Sequence, residues 1–354
     1  MSNLYTVSQA SLQLTLEPHF SHTGVFLALS ADVDREAREK TLKKAILVTF
    51  VLAAANLPFI VVSIRPTVSS AIAEQQMAQL WREPDQIATA DLFNGPWPDL
   101  APDPNAIYAF GKPKLHGNSP GLTIRDPKGV EWSVKQGREA SVEVALSRVL
   151  SAIGYRQPPV FFLPAFTLQR DGAVESAPAG RFRAKLDSMR EMGDWSWQQN
   201  PFVGTRPYQG LLVALVIFNS SDLKDSNNTV YEMVPPRDGA PRWYVVRDIG
   251  SGLGETAKLD AREGDPNLFD RPGFINGVKD GFVEFSYHGW HQELFTKRIT
   301  PDDVRWTCEH LAKLSDAQWR DAFRAGGFDQ ATADRFIRRL KAKIDEGRQL
   351  TNDQ

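Results

Sequence analysis

The spacing of apolar and polar positions changes several times along this chain, and each change predicts an element. Two runs alternate with a period of two, Gly121-Leu122-Thr123-Ile124-Arg125 and Val130-Glu131-Trp132-Ser133-Val134-Lys135. They flank Asp126-Pro127-Lys128-Gly129, and together they predict a hairpin. In its second strand Trp132 and Val134 share one face, with Glu131, Ser133 and Lys135 on the other. From 141 to 153 the period lengthens to that of a helix, with Val142, Leu146 and Val149 in its apolar stripe and Gly154 as its stop. Val160-Phe161-Phe162-Leu163 reads as a buried strand, and 181–186 as a strand carrying three cations. An unbroken apolar stretch over 210–218 predicts a buried helix, and Trp243-Tyr244-Val245-Val246 another strand. Residues 256–278 predict an irregular surface segment, and 282–285 a short strand. Helices are expected to start at Pro301, Ser315 and Asp329.

The longest apolar run lies at 45–64 and contains no Asp, Glu, Lys or Arg. Its length suits a hydrocarbon core, so it predicts a membrane anchor or an export signal; a buried core helix is the structural alternative. Arg35, Arg38, Lys40, Lys43 and Lys44 precede it and only Arg65 closely follows. Positive flanks stay inside, which puts the C-terminal portion outside the cytoplasm. Ala71-Ile72-Ala73 fits a cleavage site. Residues 1–73 are therefore set apart, and the Pro-rich stretch 74–106 is expected to be a linker packed on the surface.

Composition narrows the functional classes. The chain has 354 residues and a net charge of −2, with no basic patch of the kind that nucleic-acid binding needs. The single cysteine, Cys308, excludes an intrachain disulfide and a cysteine-based zinc site. His288 and His291 lie close together, but no third ligand is apparent and a packed loop is the better reading.

The polar loop 219–228 carries the candidate chemistry. Asp222 and Asn227 are separated by four residues, and the strand pair that follows ends in Asp248-Ile249-Gly250. Phosphoryl transfer needs an oriented acceptor and neutralised phosphate charge. One carboxylate to receive a hydroxyl proton, with an amide oxygen and a second carboxylate for magnesium, supplies both. The structural alternative is an Asx-rich turn. Lys135, at a strand end, is either a solvated edge or a phosphate-binding lysine. Glu139 and Glu143 lie four apart on one helix face, and either could reach it.

The order Lys135, Glu143, Asp222, Asn227, Asp248 resembles that of the atypical kinase superfamily, the branch with the persistence-toxin, phosphatidylinositol and spore-coat kinases. Between residues 122 and 250 the chain is also similar to a group of uncharacterised exported bacterial proteins, through Trp195-Ser196-Trp197, Asn200-Pro201-Phe202-Val203-Gly204-Thr205 and the loop itself. No His-Arg pair precedes Asp222, and Gly117-Asn118-Ser119-Pro120-Gly121 stands where a glycine-rich loop would be. The resemblance implies an α+β, two-lobed kinase-like fold, with an antiparallel sheet and helix at 107–170 and a mainly helical lobe at 171–350, after a hydrophobic N-terminal helix. It implies ATP and magnesium as cofactors. Lys135 would contact nucleotide phosphates and Glu143 would fix Lys135. Asp222 would position the acceptor hydroxyl, Lys224 would offset developing charge, and Asn227 and Asp248 would hold the metal. The expected function is phosphotransfer to a hydroxyl acceptor, with the membrane engaged through the N-terminal helix. The alternative is an inactive kinase-like envelope module for binding or scaffolding.

Overall fold

The computed structural model describes residues 14–15, 26–29, 61–63, 70–114, 120–255 and 263–351. Two units follow one another along the chain, 1–75 and 76–354. In the first, β1 (Leu14–Thr15) pairs antiparallel with β2 (Phe26–Leu29), which pairs in parallel with β3 (Val61–Ser63). Part of the apolar run expected to be helical is thus a strand, since Val61 and Val62 are β-branched residues that suit a pleated ladder. Residues 45–60 and 64 lie outside the described residues. Among the described residues no helix is long and apolar enough to cross a membrane. Helix α1 (Ser70–Met77) comes next in the chain.

The predicted hairpin forms one side of a closed barrel. Strands β4 (Ile107–Lys114), β5 (Gly121–Arg125), β6 (Glu131–Gln136), β7 (Val160–Arg170) and β8 (Ala173–Lys185) are ordered β4-β5-β6-β8-β7. The antiparallel sheet expected here closes into a barrel and contains one parallel pairing. β7 is long enough to pair with β8 along its length and, at Thr167 to Gln169, in parallel with β4 at Ile107 to Ala109. Closure removes both exposed edges. Alternation places Trp132 and Phe182 inside with Tyr108 and Phe166, packed edge to face at centroid separations of 5.0 to 6.0 Å.

A second core is mainly helical. α2 (Arg138–Ala152) lies against the outside of β6, β7 and β8 and turns Val142, Leu146 and Val149 into this core. α3 (Arg206–Ile217) is buried over nearly its whole length, and Thr205 caps it by accepting from Tyr208 N. A three-stranded sheet takes β9 (Met189–Gly193) from before α3 and β10 (Asn228–Arg237) and β11 (Ala240–Val246) from after it, with β10 central. The stretch expected to be irregular contains the short helix α4 (Pro266–Phe269) and leads into the hairpin β12 (Ile275–Lys279) and β13 (Phe282–Phe285). Phe269 and Phe274 are buried there, so the segment contributes to the core; residues 256–262 lie outside the described residues.

The C-terminal helices α5 (Pro301–Ala312), α6 (Asp316–Ala325) and α7 (Gln330–Arg348) begin at Thr300, Ser315 and Asp329 caps. α5 packs on α3 and α7, and α6 on α2 and α7. The Pro-rich stretch is built in: Leu80, Ile87 and Leu92 enter the helical core and Trp97 the barrel core. Gln318 Nε2 donates to the carbonyls of Ile87 and Ala90, and Trp97 Nε1 to that of Gln157.

Candidate functional site

The site begins with strand register. Lys135 stands opposite Arg181, and Ser133 opposite Arg183, across β6 and β8. Paired residues share a face, so these four project outside the barrel while Trp132, Val134 and Phe182 fill it. Gly137, at φ 92°, turns the chain from β6 into α2. The first turns of α2 then bring Glu139 and Glu143 to the same face.

Lys135 Nζ lies 2.8 Å from Glu139 Oε2, 2.8 Å from Asp248 Oδ1 and 3.4 Å from Glu143 Oε2. Both glutamates that the sequence offered therefore reach it. Glu143 is 1% exposed, a position that only pairing makes tolerable for a carboxylate. Its Oε1 accepts from Arg183 Nη2 at 2.5 Å and forms an ion pair with Arg181 Nε at 3.0 Å. Burial alone would raise its pKa, but Arg181, Arg183 and Lys135 outweigh burial and hold it below the usual value. Asp248 is treated the same way: burial opposes ionisation, while Lys135 and Arg183 hold the carboxyl far below the usual range. Burial works against the Lys135 ammonium, and the three carboxylates push its pKa up regardless.

The opposite wall is the loop after α3. Asn219, at φ 54°, reverses the chain in the left-handed conformation that asparagine tolerates. Its Nδ2 donates to Gly254 O at 2.8 Å, and its Oδ1 accepts from the buried Lys343 Nζ at 2.6 Å. Ser221 O accepts from Trp290 N at 2.9 Å and from the Tyr287 hydroxyl at 3.2 Å. That clamp requires glycine at 289, where a Cβ would sit 2.6 Å from Ser221 O. Asn227 joins the two loops. Its Nδ2 donates to Asp222 O at 2.6 Å and to Asp222 Oδ2 at 3.1 Å, and its carbonyl accepts from the Arg247 and Asp248 amides. Lys224 Nζ pairs with Asp222 Oδ1 at 2.9 Å and lies 5.2 Å from the Trp290 ring centre. Asp225 Oδ1 accepts from Trp197 N at 3.1 Å and so ties the loop to the Trp195–Trp197 segment.

These walls enclose a cleft of about 1210 Å³ that Lys135, Asp222, Lys224, Asn227 and Asp248 line. Glu143 lies behind it, under Lys135 and the two arginines. Basic side chains outnumber acidic ones along the lining, a balance suited to an anionic ligand. Arg181 and Arg183 were not singled out in the sequence; the Arg-Phe-Arg alternation around a buried Phe182 was the available signal. Residues 115–119, in the position of a glycine-rich loop, lie outside the described residues. Among the described residues no three His, Cys, Asp or Glu side chains cluster as a metal site. A cation held by Asn227 and Asp248 would need further oxygens from the ligand.

No family model matches the chain, and no curated protein matches it. Among solved structures it is similar to the proinflammatory kinase CtkA of Helicobacter pylori, at 10% identity over 69% of this chain and 95% of that one, with a TM-score of 0.42. It is also similar to the Rio2 kinase of Chaetomium thermophilum, solved with ADP/Mg²⁺ and phosphoaspartate, at 14% identity over 68% and 71% of the two chains, with a TM-score of 0.32.

Proposed function

We propose that the cleft binds ATP and transfers its terminal phosphoryl group to a hydroxyl acceptor, in a two-lobed kinase-like arrangement. One observation carries this reading: Lys135 and Asp248, separated by over a hundred residues, meet at 2.8 Å beside the Asp222–Asn227 pair in one cleft. Lys135 would hold phosphate oxygens, kept in place by Glu139 and Glu143. Asp222 would accept the proton as the acceptor oxygen forms its bond to the γ-phosphorus and the bond to ADP breaks. Lys224, paired with Asp222, would offset charge on the transferring group.

The donor set fits magnesium. Asn227 spends its Nδ2 on Asp222, which leaves the amide oxygen as its ligand atom, and Asp248 is held ionised. Both are hard oxygens, as magnesium requires. A magnesium ion there would neutralise phosphate charge. A second reading, a kinase-like module that binds without transferring, is favoured by the direct ion pair between Lys135 and Asp248, which occupies the carboxylate assigned to the metal.

The test is thermal unfolding of the full chain with ATP and magnesium, alone and together. The expected result is a rise in Tm only with both, absent in Asp248→Ala. An unshifted wild type, or an equal shift in the variant, contradicts the proposal. A shift without transfer of labelled phosphate to any acceptor supports the second reading.

A further inference from the structure

The cations around the cleft are unevenly matched. Lys135 meets three carboxylates. Lys114, the last residue of β4, meets none among the described residues, and its Nζ donates to Ser133 Oγ at 2.5 Å. Register explains where it points. Lys114 pairs with Gly121, Gly121 with Lys135, and Lys135 with Arg181, so one row crosses four strands. Residues in such a row share a face. Three cations therefore stand in line, with a single gap where Gly121 has no side chain. The gap is narrow: a Cβ on Gly121 would lie 3.0 Å from Val134 O and 3.1 Å from Lys114 Cδ. Arg183 extends the positive surface in the adjoining row, opposite Ser133. Lys114 is exposed as a residue, yet desolvation of its ammonium, and after it Arg181 and Arg183, lower its pKa to about 8 against the opposing charge of Asp248. Like charges gathered in a partly dry cleft are relieved by a bound anion.

We infer that Lys114, at the end of this row of cations, is a second phosphate contact of the cleft and holds the polyphosphate of a nucleoside triphosphate together with Lys135. The inference rests on the nucleotide reading above. Gly121 places no side chain between the two ammonium groups, and Ser133 Oγ fixes the direction of the Lys114 side chain. A side-chain cation here does part of what main-chain amides do in a glycine-rich phosphate loop.

The experiment measures binding of MgATP, AMP, magnesium tripolyphosphate and phosphoserine to the full chain, in wild type, Lys114→Met and Asp248→Ala. For Lys114→Met the expected loss is about ten- to a hundredfold for MgATP and tripolyphosphate, the range for one charged hydrogen bond, with AMP nearly unchanged. No loss, equal losses for ATP and AMP, or a loss confined to phosphoserine overturns the inference; the last would put Lys114 on the acceptor side. Asp248→Ala separates the two ideas. If it leaves MgATP binding intact while Lys114→Met discriminates, the metal assignment fails and the phosphate contact stands. The reverse pattern overturns the contact alone, and a wild type that binds neither ATP nor tripolyphosphate overturns both.

Discussion

Glu143 joins three cations that would otherwise repel one another. It is buried, accepts a hydrogen bond from Arg183 and pairs in charge with Arg181 and Lys135. Glu143→Gln keeps the shape and removes the charge, leaving a fully buried Arg181 without its counterion. Breaking a buried pair this way costs about 3–5 kcal/mol, and urea unfolding at neutral pH is expected to show a loss of that size; a change below about 1 kcal/mol, the value of an exposed pair, would contradict it. The same residue predicts acid behaviour. Its folded pKa and that of Asp248 are lowered, whereas free carboxyls titrate near 4. Their stabilisation is therefore present above about pH 4 and lost as pH falls through the lower folded values. Residue types and spacing made Lys135, Glu143, Asp222, Asn227 and Asp248 legible. Arg181 and Arg183 were not, because charged strand residues ordinarily mark a solvated edge, and only α2 lying over that face turns it inward.

At the scale of elements, α7 does more than cover the core. Lys343 falls on the same helix stripe as Phe336, Leu340 and Ile344, and it is fully buried. Its ammonium donates to Ile217 O, a carbonyl at the C-terminal end of α3, and to Asn219 Oδ1 at the start of the candidate loop. Burial, and after it Arg339, lower its pKa to about 7 against the opposing charge of Glu346. Between pH 7 and 10 the unfolded chain binds the proton that the folded lysine releases, so folding stability rises with pH over that window. The slope is at most about 1.4 kcal/mol per pH unit. Denaturant unfolding across pH 7–10 is expected to show this rise in wild type and not in Lys343→Met; parallel profiles would contradict it. The three C-terminal helices were legible from their caps, and the hairpin from its turn residues. Barrel closure was not, since Ile107 pairs with Thr167 across a long stretch of chain and leaves no local signal.

At the scale of the molecule, the second unit contains two cores, one that fills the barrel and continues onto the sheet of β9, β10 and β11, and one among the helices. The site lies where their polar margins meet: Lys135 and Arg183 come from the barrel, Asp248 from the loop after β11. The sequence suggested a division at residue 170. The Asp171-Gly172 turn resembles a boundary, but it is the tip of a hairpin, and β8 carries the barrel on to Lys185. Polar groups placed by separate elements are brought together only by this packing, which is why their spacing could be read while their convergence could not. A crystal structure of the full chain with magnesium and a non-hydrolysable ATP analogue tests that convergence most directly. The expected result is a metal ion between Asn227 and Asp248, with Lys135 turned from Asp248 to the phosphates. An intact Lys135–Asp248 pair, with the analogue bound elsewhere, would contradict it.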